Sequence, residues 1–397
     1  MKICLVNNLY PPYVHGGTES AVQQTAALLI EAGHQVVLIT TTPDRSSSSW
    51  STEYQGQLTI HRFRPRNIYY YTDGNKQSVF KKLLWHNWDV ANAHSANILR
   101  QLIVQEHPDI VHGHNLKGIS YTLSGICHQL GIPYIHTIHN YQLLTPYGTF
   151  GLDEKPPYFR PRILSFLYQR WNRRMFAYVS HVISPTVKPL QLHQQAGFFT
   201  TTPSTILPSP VTIPDAIVPH SFKRPLRLVY FGSLEEVKGI RQLITAVMSL
   251  PSKDWILDVF GTGTLLPELQ AQTTTWPNIS WRGWSTETSL LQGYDALVYP
   301  SRCYETQGLS MIEAMAQGTP VIAAAIGSIP ESIEHGKNGL LYDAAEPDAL
   351  LQLLDKVIGQ PALLSQLRDN ARNTAARFSP ATYIKALVSI YTKFSNS

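Results

Sequence analysis

The chain is short of cysteine, of long apolar runs and of paired aspartates, and each shortage closes off a class of protein. Its three cysteines, Cys4, Cys127 and Cys303, show no Cys-x-x-Cys spacing. They supply neither a disulfide framework nor a cysteine-held zinc site, and they suit a reducing cytoplasm. No run reaches the ~18 apolar residues of a membrane span. The apolar stretch after Met1 is too brief for a secretory leader and reads as a first strand, so any membrane contact is expected to be peripheral, at the inner face. No Asp-x-Asp occurs anywhere, which removes the usual carboxylate pair for a divalent ion beside a phosphate. His112-Gly113-His114 has no cysteine or carboxylate cluster to complete a metal site and reads as polar strand-end residues, so no metal is expected.

Charge is modest too, with 15% Asp, Glu, Lys and Arg and a formal net charge of +5. The cations are spread along the chain without a DNA- or RNA-binding signature, which points to small anionic ligands such as phosphates and away from nucleic acid. Apart from Ser46–Ser49, which reads as a loop, there is no low-complexity tract. A hydrophobic fraction of 43% over 397 residues implies a folded protein with more chain than one core comfortably holds, hence two domains.

Short apolar runs ending in Gly, Asn or Pro alternate with helical patterns. In the first half these are Ile3–Val6, Val36–Thr40, Ile110–Val111, Tyr134–Ile138 and Val182–Ser184. A proline-dense stretch between Pro203 and Pro225, Pro219 included, suits neither helix nor central strand and marks a boundary. The rhythm then resumes at Leu228–Phe231, Ile256–Phe260, Ile279–Trp281, Ala296–Tyr299 and Val321–Ala323. Strand–helix alternation implies α/β architecture with parallel sheets, here two doubly wound domains whose ligands gather at the carboxyl ends of the strands. The expected limits are residues 1–210 and 211–379, with a last helix in 380–397 returning to the first domain.

The most informative stretch is Pro300-Ser301-Arg302-Cys303-Tyr304-Glu305-Thr306-Gln307-Gly308-Leu309-Ser310-Met311-Ile312-Glu313. Glu305 sits in a loop after a strand, Gly308 opens a helix, and Glu313 lies just over one turn into it. Helix-start amides near Gly308 and Leu309 can hold an anionic oxygen, while carboxylates suit vicinal hydroxyls. Glu313 is also surrounded by apolar residues, where an unpartnered carboxylate would be costly. A random Glu pair is more often solvated surface; this context argues otherwise.

That stretch resembles the glutamate-x7-glutamate motif of glycosyltransferase family four. The resemblance implies a GT-B fold, two facing Rossmann-like domains with a cleft between them, and retaining hexosyl transfer from a nucleotide diphosphate sugar as co-substrate, without metal or other cofactor. It places Glu313 on the ribose hydroxyls, Glu305 beside the donor sugar, and Gln307, Gly308 and Leu309 around the donor. Lys238, in Phe231-Gly232-Ser233-Leu234-Glu235-Glu236-Val237-Lys238-Gly239, matches the family lysine on the diphosphate; Ser233 stands where an arginine is usual, leaving one point charge instead of two. Gly261 belongs to a glycine turn of the family, and Trp284, in Trp281-Arg282-Gly283-Trp284, to the base-contacting region. Gly16 and Gly17 resemble the family's glycine loop, and His139 a histidine close to the donor sugar.

By the same resemblance the donor is expected to be UDP with glucose or a close relative, with GDP-mannose the leading substitute, and the acceptor a hydroxyl in polysaccharide or glycolipid assembly. Two other readings stay open: a sugar-nucleotide epimerase or phosphorylase on the same architecture, and a non-catalytic sugar-nucleotide-binding protein. Lys155–Arg174 carries six basic and no acidic residues, interleaved with Tyr158, Phe159, Phe166, Tyr168 and Trp171, and has helical spacing through Ile163, Leu167 and Trp171. It reads either as a helix packed on the first domain with a solvated basic face, or as a segment lying on an anionic membrane near a lipid-linked acceptor.

Overall fold

Aliphatic runs in this chain become strands buried on both faces, as strands of a covered parallel sheet must be. The computed structural model describes residues 1–13, 16–44, 49–152, 162–216 and 222–395. Ser46, Ser47 and Ser48, Lys155 with Tyr158 and Phe159, and Pro219 lie outside the described residues. The chain forms two units, Met1–Gly148 with Lys155–Pro210 and Pro380–Ser397, and Thr149–Glu154 with Val211–Ser379.

The first unit runs β1 (Lys2–Val6), α1 (Gly17–Glu31), β2 (Gln35–Thr41), β3 (Trp50–Gln55), β4 (Leu58–Phe63), α2 (Val79–Val90) and α3 (Ala93–Glu106). It continues with β5 (Ile110–Gly113), α4 (Leu123–Leu130), β6 (Tyr134–Thr137), α5 (Arg162–Met175), β7 (His181–Ser184), α6 (Val187–Gln195) and β8 (Ser204–Ile206). The sheet order is β3-β4-β2-β1-β5-β6-β7-β8. Every neighbouring pair is parallel except β3 with β4. Strand order reverses between β1 and β5, the place where a parallel sheet leaves a crevice for ligand. β8 falls inside the proline-dense stretch, whose prolines suit neither helix nor central strand. It is tolerated because it is a three-residue edge strand lying between Pro203 and Pro208, so no proline interrupts its ladder.

The second unit runs β9 (Leu226–Phe231), α7 (Ile240–Ser249), β10 (Trp255–Phe260), α8 (Leu266–Gln272), β11 (Ile279–Gly283) and β12 (Ala296–Tyr299). Then come α9 (Leu309–Ala316), β13 (Val321–Ala324), α10 (Ile329–Ser332), β14 (Gly339–Tyr342), α11 (Ala349–Gly359) and α12 (Ala362–Ala375). Its sheet is parallel throughout, in the order β11-β10-β9-β12-β13-β14, and reverses between β9 and β12. Leu228, Leu257, Leu297 and Ile322 are fully buried in its core.

The chain then returns to the first unit as α13 (Pro380–Ser395). Tyr383, Leu387, Ile390 and Tyr391 pack into one core with Ile3, Val22 and Leu29. Two polar contacts fix the seat of this helix, Tyr383 Oη with Thr25 Oγ1 at 3.0 Å and Tyr391 Oη with His112 Nδ1 at 2.6 Å. Among the described residues no helix is long and apolar enough to cross a membrane.

Candidate functional site

At the strand-order reversal of the second unit, two loops approach as closely as backbones can. The loop after β9 carries Ser233, then a short turn through Lys238 to Gly239, which starts α7 in the left-handed region at φ 71°. A Cβ on Gly239 would stand 1.9 Å from the carbonyl oxygen of Pro300, the residue following β12. Glycine is therefore required here by both conformation and space. The contact brings Lys238 against the loop after β12, where its Nζ donates to Glu305 Oε1 at 2.7 Å.

Glu305 is held from several sides. Ser301 Oγ donates to the same oxygen at 2.8 Å, Ser328 Oγ donates to the Glu305 carbonyl at 2.8 Å, and the neighbouring Cys303 is buried. Phe150 and Gly151 brace the loop: the Tyr304 amide donates to the Phe150 carbonyl at 2.9 Å, and Gly151 forms a bridge with Cys303. Burial alone would raise the Glu305 carboxyl, but the Lys238 ammonium beside it wins and holds it below the ordinary range. Reciprocally, burial works against the Lys238 charge and Glu305 more than restores it, so the ammonium titrates well above its usual range. Burial and Glu305 together push the Cys303 thiol up to about 11, so it is no nucleophile at neutral pH.

α9 begins just beyond. Gly308, left-handed at φ 79°, caps it, and the amides of Gly308, Leu309 and Ser310 have no partner among the described residues. Such a helix start attracts a phosphoryl oxygen through open N–H groups and a partial positive charge. Gln307 is buried immediately before the cap. Glu313, one turn into α9, is half-buried, and its carboxylate has no partner among the described residues. Burial raises it from 4.5 to about 7. An acceptor kept partly dry and unmatched is a place for ligand hydroxyls to donate.

Gly261 and Trp284 lie on the same carboxyl edge, after β10 and β11. A Cβ on Gly261, at φ 149°, would meet the Gly232 carbonyl at 1.9 Å, so this glycine lets the loops after β9 and β10 close on each other. Trp284 is 52% exposed, whereas Trp281 donates its indole N–H to Thr273 Oγ1 at 3.1 Å and packs on the core.

In the first unit, Gly16, Gly17 and His139 also sit at the carboxyl edge of the sheet, after β1 and β6. The Gly16 amide is taken up by the Glu19 carboxylate at 2.8 Å, which caps α1. His139 Nε2 shares a proton with His114 Nδ1 at 2.9 Å. Burial lowers His139 to about 4 and His114 well below its ordinary 6.5, with His112 adding to the push on His114, so both rings are neutral at pH 7. His112 spends both ring nitrogens, on Tyr391 Oη and on Thr137 Oγ1 at 2.7 Å. His112 and His114 are thus hydrogen-bonded strand-end residues, with His114 orienting His139.

The structure therefore gathers Ser233, Lys238, Gly261, Trp284, Glu305, Gln307, Gly308, Leu309 and Glu313 on one edge of the second unit, and Gly16, Gly17 and His139 on the corresponding edge of the first. Motif reading did not assign Ser301, Ser328 or His114, the residues that hold Glu305 and His139 in place. Only the Ser301-x3-Glu305 spacing hinted at the first of them.

Sequence comparison gives the class. A family model described as Glycosyl transferases group 1 matches residues 216–374, and one described as Glycosyltransferase Family 4 matches residues 15–211. A sucrose-phosphate synthase from Thermosynechococcus elongatus has the same fold, with a TM-score of 0.78 at 18% identity and 100% of both chains covered. So has Anabaena HepE in complex with UDP-glucose, with a TM-score of 0.70 at 16% identity over 99% of this chain and 100% of that one. These two Rossmann-like units are those of the GT-B glycosyltransferases. The chain belongs to glycosyltransferase family four. Among its relatives is an uncharacterized 42.6 kDa protein in the cps region of Klebsiella pneumoniae, 28% identical over 83% of this chain and 87% of that protein.

Proposed function

We propose that this glycosyltransferase is a retaining hexosyltransferase that takes its sugar, glucose or a close relative, from a nucleotide diphosphate, UDP foremost. The acceptor is a hydroxyl in polysaccharide or glycolipid assembly. The observation that carries the reading is the 2.7 Å pair of Lys238 with Glu305 at the strand-order reversal, next to a helix start with open amides and one turn from Glu313. Lys238 spends one N–H on Glu305 and keeps others for the diphosphate. The α9 amides add to it as negative charge builds on the leaving group, without a metal. The ionised Glu305 faces the positive charge that develops at the anomeric carbon, and neutral His139 offers a hydrogen bond to a sugar hydroxyl.

As the C1–oxygen bond to the phosphate breaks, the acceptor oxygen bonds to C1 on the same face, and its proton leaves with the nucleotide diphosphate. Titration of the protein with UDP, UDP-glucose and GDP-mannose by calorimetry tests the donor. The anomeric coupling of the product in proton NMR tests retention, and activity after exhaustive EDTA treatment tests independence from metal. Tight binding with no donor hydrolysis or transfer to any acceptor would favour the non-catalytic reading instead.

A further inference from the structure

We propose that α5, with α2 of the same unit, is a docking surface for an anionic lipid bilayer. The inference goes beyond the transfer reaction and rests on which side of α5 is turned inward. Its buried residues are polar: Ser165, Gln169 and Asn172. Gln169 Nε2 donates to the Leu144 carbonyl at 3.0 Å, Asn172 Nδ2 to the Leu143 carbonyl at 3.1 Å, and Tyr168 Oη to the Gln142 carbonyl at 2.6 Å. The helix is thus fastened through amides and a phenol to the backbone of one loop. Its apolar residues are left outside, Ile163, Leu164, Phe166, Leu167 and Trp171, each 48–67% exposed. The helix is packed on the first unit with Arg170 and Arg174 exposed, as one of the two sequence readings has it, but the packed side is polar and the Ile163, Leu167 and Trp171 stripe faces outward. A helix fixed by its polar side and presenting its greasy side to solvent is built to meet something apolar.

Charge chooses the occupant. Arg170 and Arg174 are exposed on the same helix, and α5 contains no acidic residue. α2 repeats the composition with Phe80, Leu83, Leu84 and Trp88 exposed beside Lys81. Its single acid, Asp89, is buried and donated to by the Gly118 amide at 2.7 Å. The last turn of α2 reaches α5 through Tyr121, whose amide donates to the Val90 carbonyl at 3.0 Å and whose hydroxyl meets that of Tyr168. Exposed aromatic and aliphatic side chains mixed with cations and free of carboxylates match the interface of a bilayer rich in anionic headgroups.

Purified full-length protein should co-sediment with phosphatidylcholine vesicles containing phosphatidylglycerol, at least about tenfold more tightly than with phosphatidylcholine alone, and the difference should shrink in high salt. The combined variant Phe166→Gln, Leu167→Gln, Trp171→Gln changes side chains that are each more than half exposed. It should keep the melting temperature and lose about tenfold or more of vesicle binding. Arg170→Gln with Arg174→Gln should lose the preference for anionic vesicles while keeping the fold. Wild type that stays in the supernatant with anionic vesicles, or a triple variant that binds them as well as wild type, would overturn the proposal. So would a concentration-dependent dimer in analytical ultracentrifugation that the triple variant abolishes while vesicles are ignored, because the face would then belong to a second copy of the chain.

Discussion

Replacing Glu313 by Gln should make the protein more stable and worse at holding its donor. Burial moves this carboxyl from 4.5 to about 7, which at about 1.4 kcal/mol per pH unit corresponds to roughly 3 kcal/mol against the ionised form. Half-burial lets solvent screen part of that, leaving about 1–2 kcal/mol. The sign follows from linkage: with the folded pKa above the unfolded one, the folded state binds the proton more tightly. Wild type therefore carries no penalty below pH 4.5 and loses stability as pH rises through the window to about 7. Gln, neutral throughout, escapes it. Thermal melts of Glu313→Gln and wild type should coincide near pH 4.5 and separate above pH 7, the variant melting about 2–4 °C higher per kcal/mol for a unit of this size. With saturating UDP-glucose present the gap above pH 7 should close, because on the proposed reading Gln accepts the ribose hydroxyls less well than a carboxylate, by about 1–2 kcal/mol or tenfold in Kd. A variant that is less stable than wild type at pH 8, or a gap that does not change with pH, would refute the reasoning.

On the proposed mechanism Glu305→Gln removes the ionised group that faces the anomeric carbon and should cut kcat by about a hundredfold or more; stopped assays of transfer or donor hydrolysis measure it, with calorimetry showing whether the donor still binds. Gly239→Ala should cost about 2–4 kcal/mol in denaturant melts, because its Cβ meets the Pro300 carbonyl at 1.9 Å, and it should weaken donor binding by displacing the loop that carries Glu305. Ser233→Arg restores the second cation of the family pattern and should tighten the Kd for UDP about tenfold.

Much of the fold was legible because strands buried on both faces leave continuous apolar runs, as at Ile3–Val6 and Leu228–Phe231. Trp50–Gln55 was not, since an exposed edge strand carries Ser, Thr, Glu and Gln with no buried stripe to read. Gly339–Tyr342 is four residues long and too short to signal by period. Glu305 and Glu313 stood out through their strand, loop and helix setting, whereas Ser328, which holds the Glu305 carbonyl, comes from a distant loop that no local spacing reveals. For α5 the period of Ile163, Leu167 and Trp171 showed a stripe but not its direction. That was decided by carbonyls at Gln142, Leu143 and Leu144 that needed donors.

The return of α13 to the first unit sets an order of synthesis. Tyr391, near the end of the chain, hydrogen-bonds His112 on β5 and fills the core under Ile3 and Leu29. While Val211–Ser379 is still being made, the nascent first unit lacks this wedge and its apolar seat is uncovered. Only after the later-made unit has emerged can α13 take its seat, so a stop codon before Pro380 would leave Ile3, Val22 and Leu29 without the cover of Tyr383, Leu387, Ile390 and Tyr391.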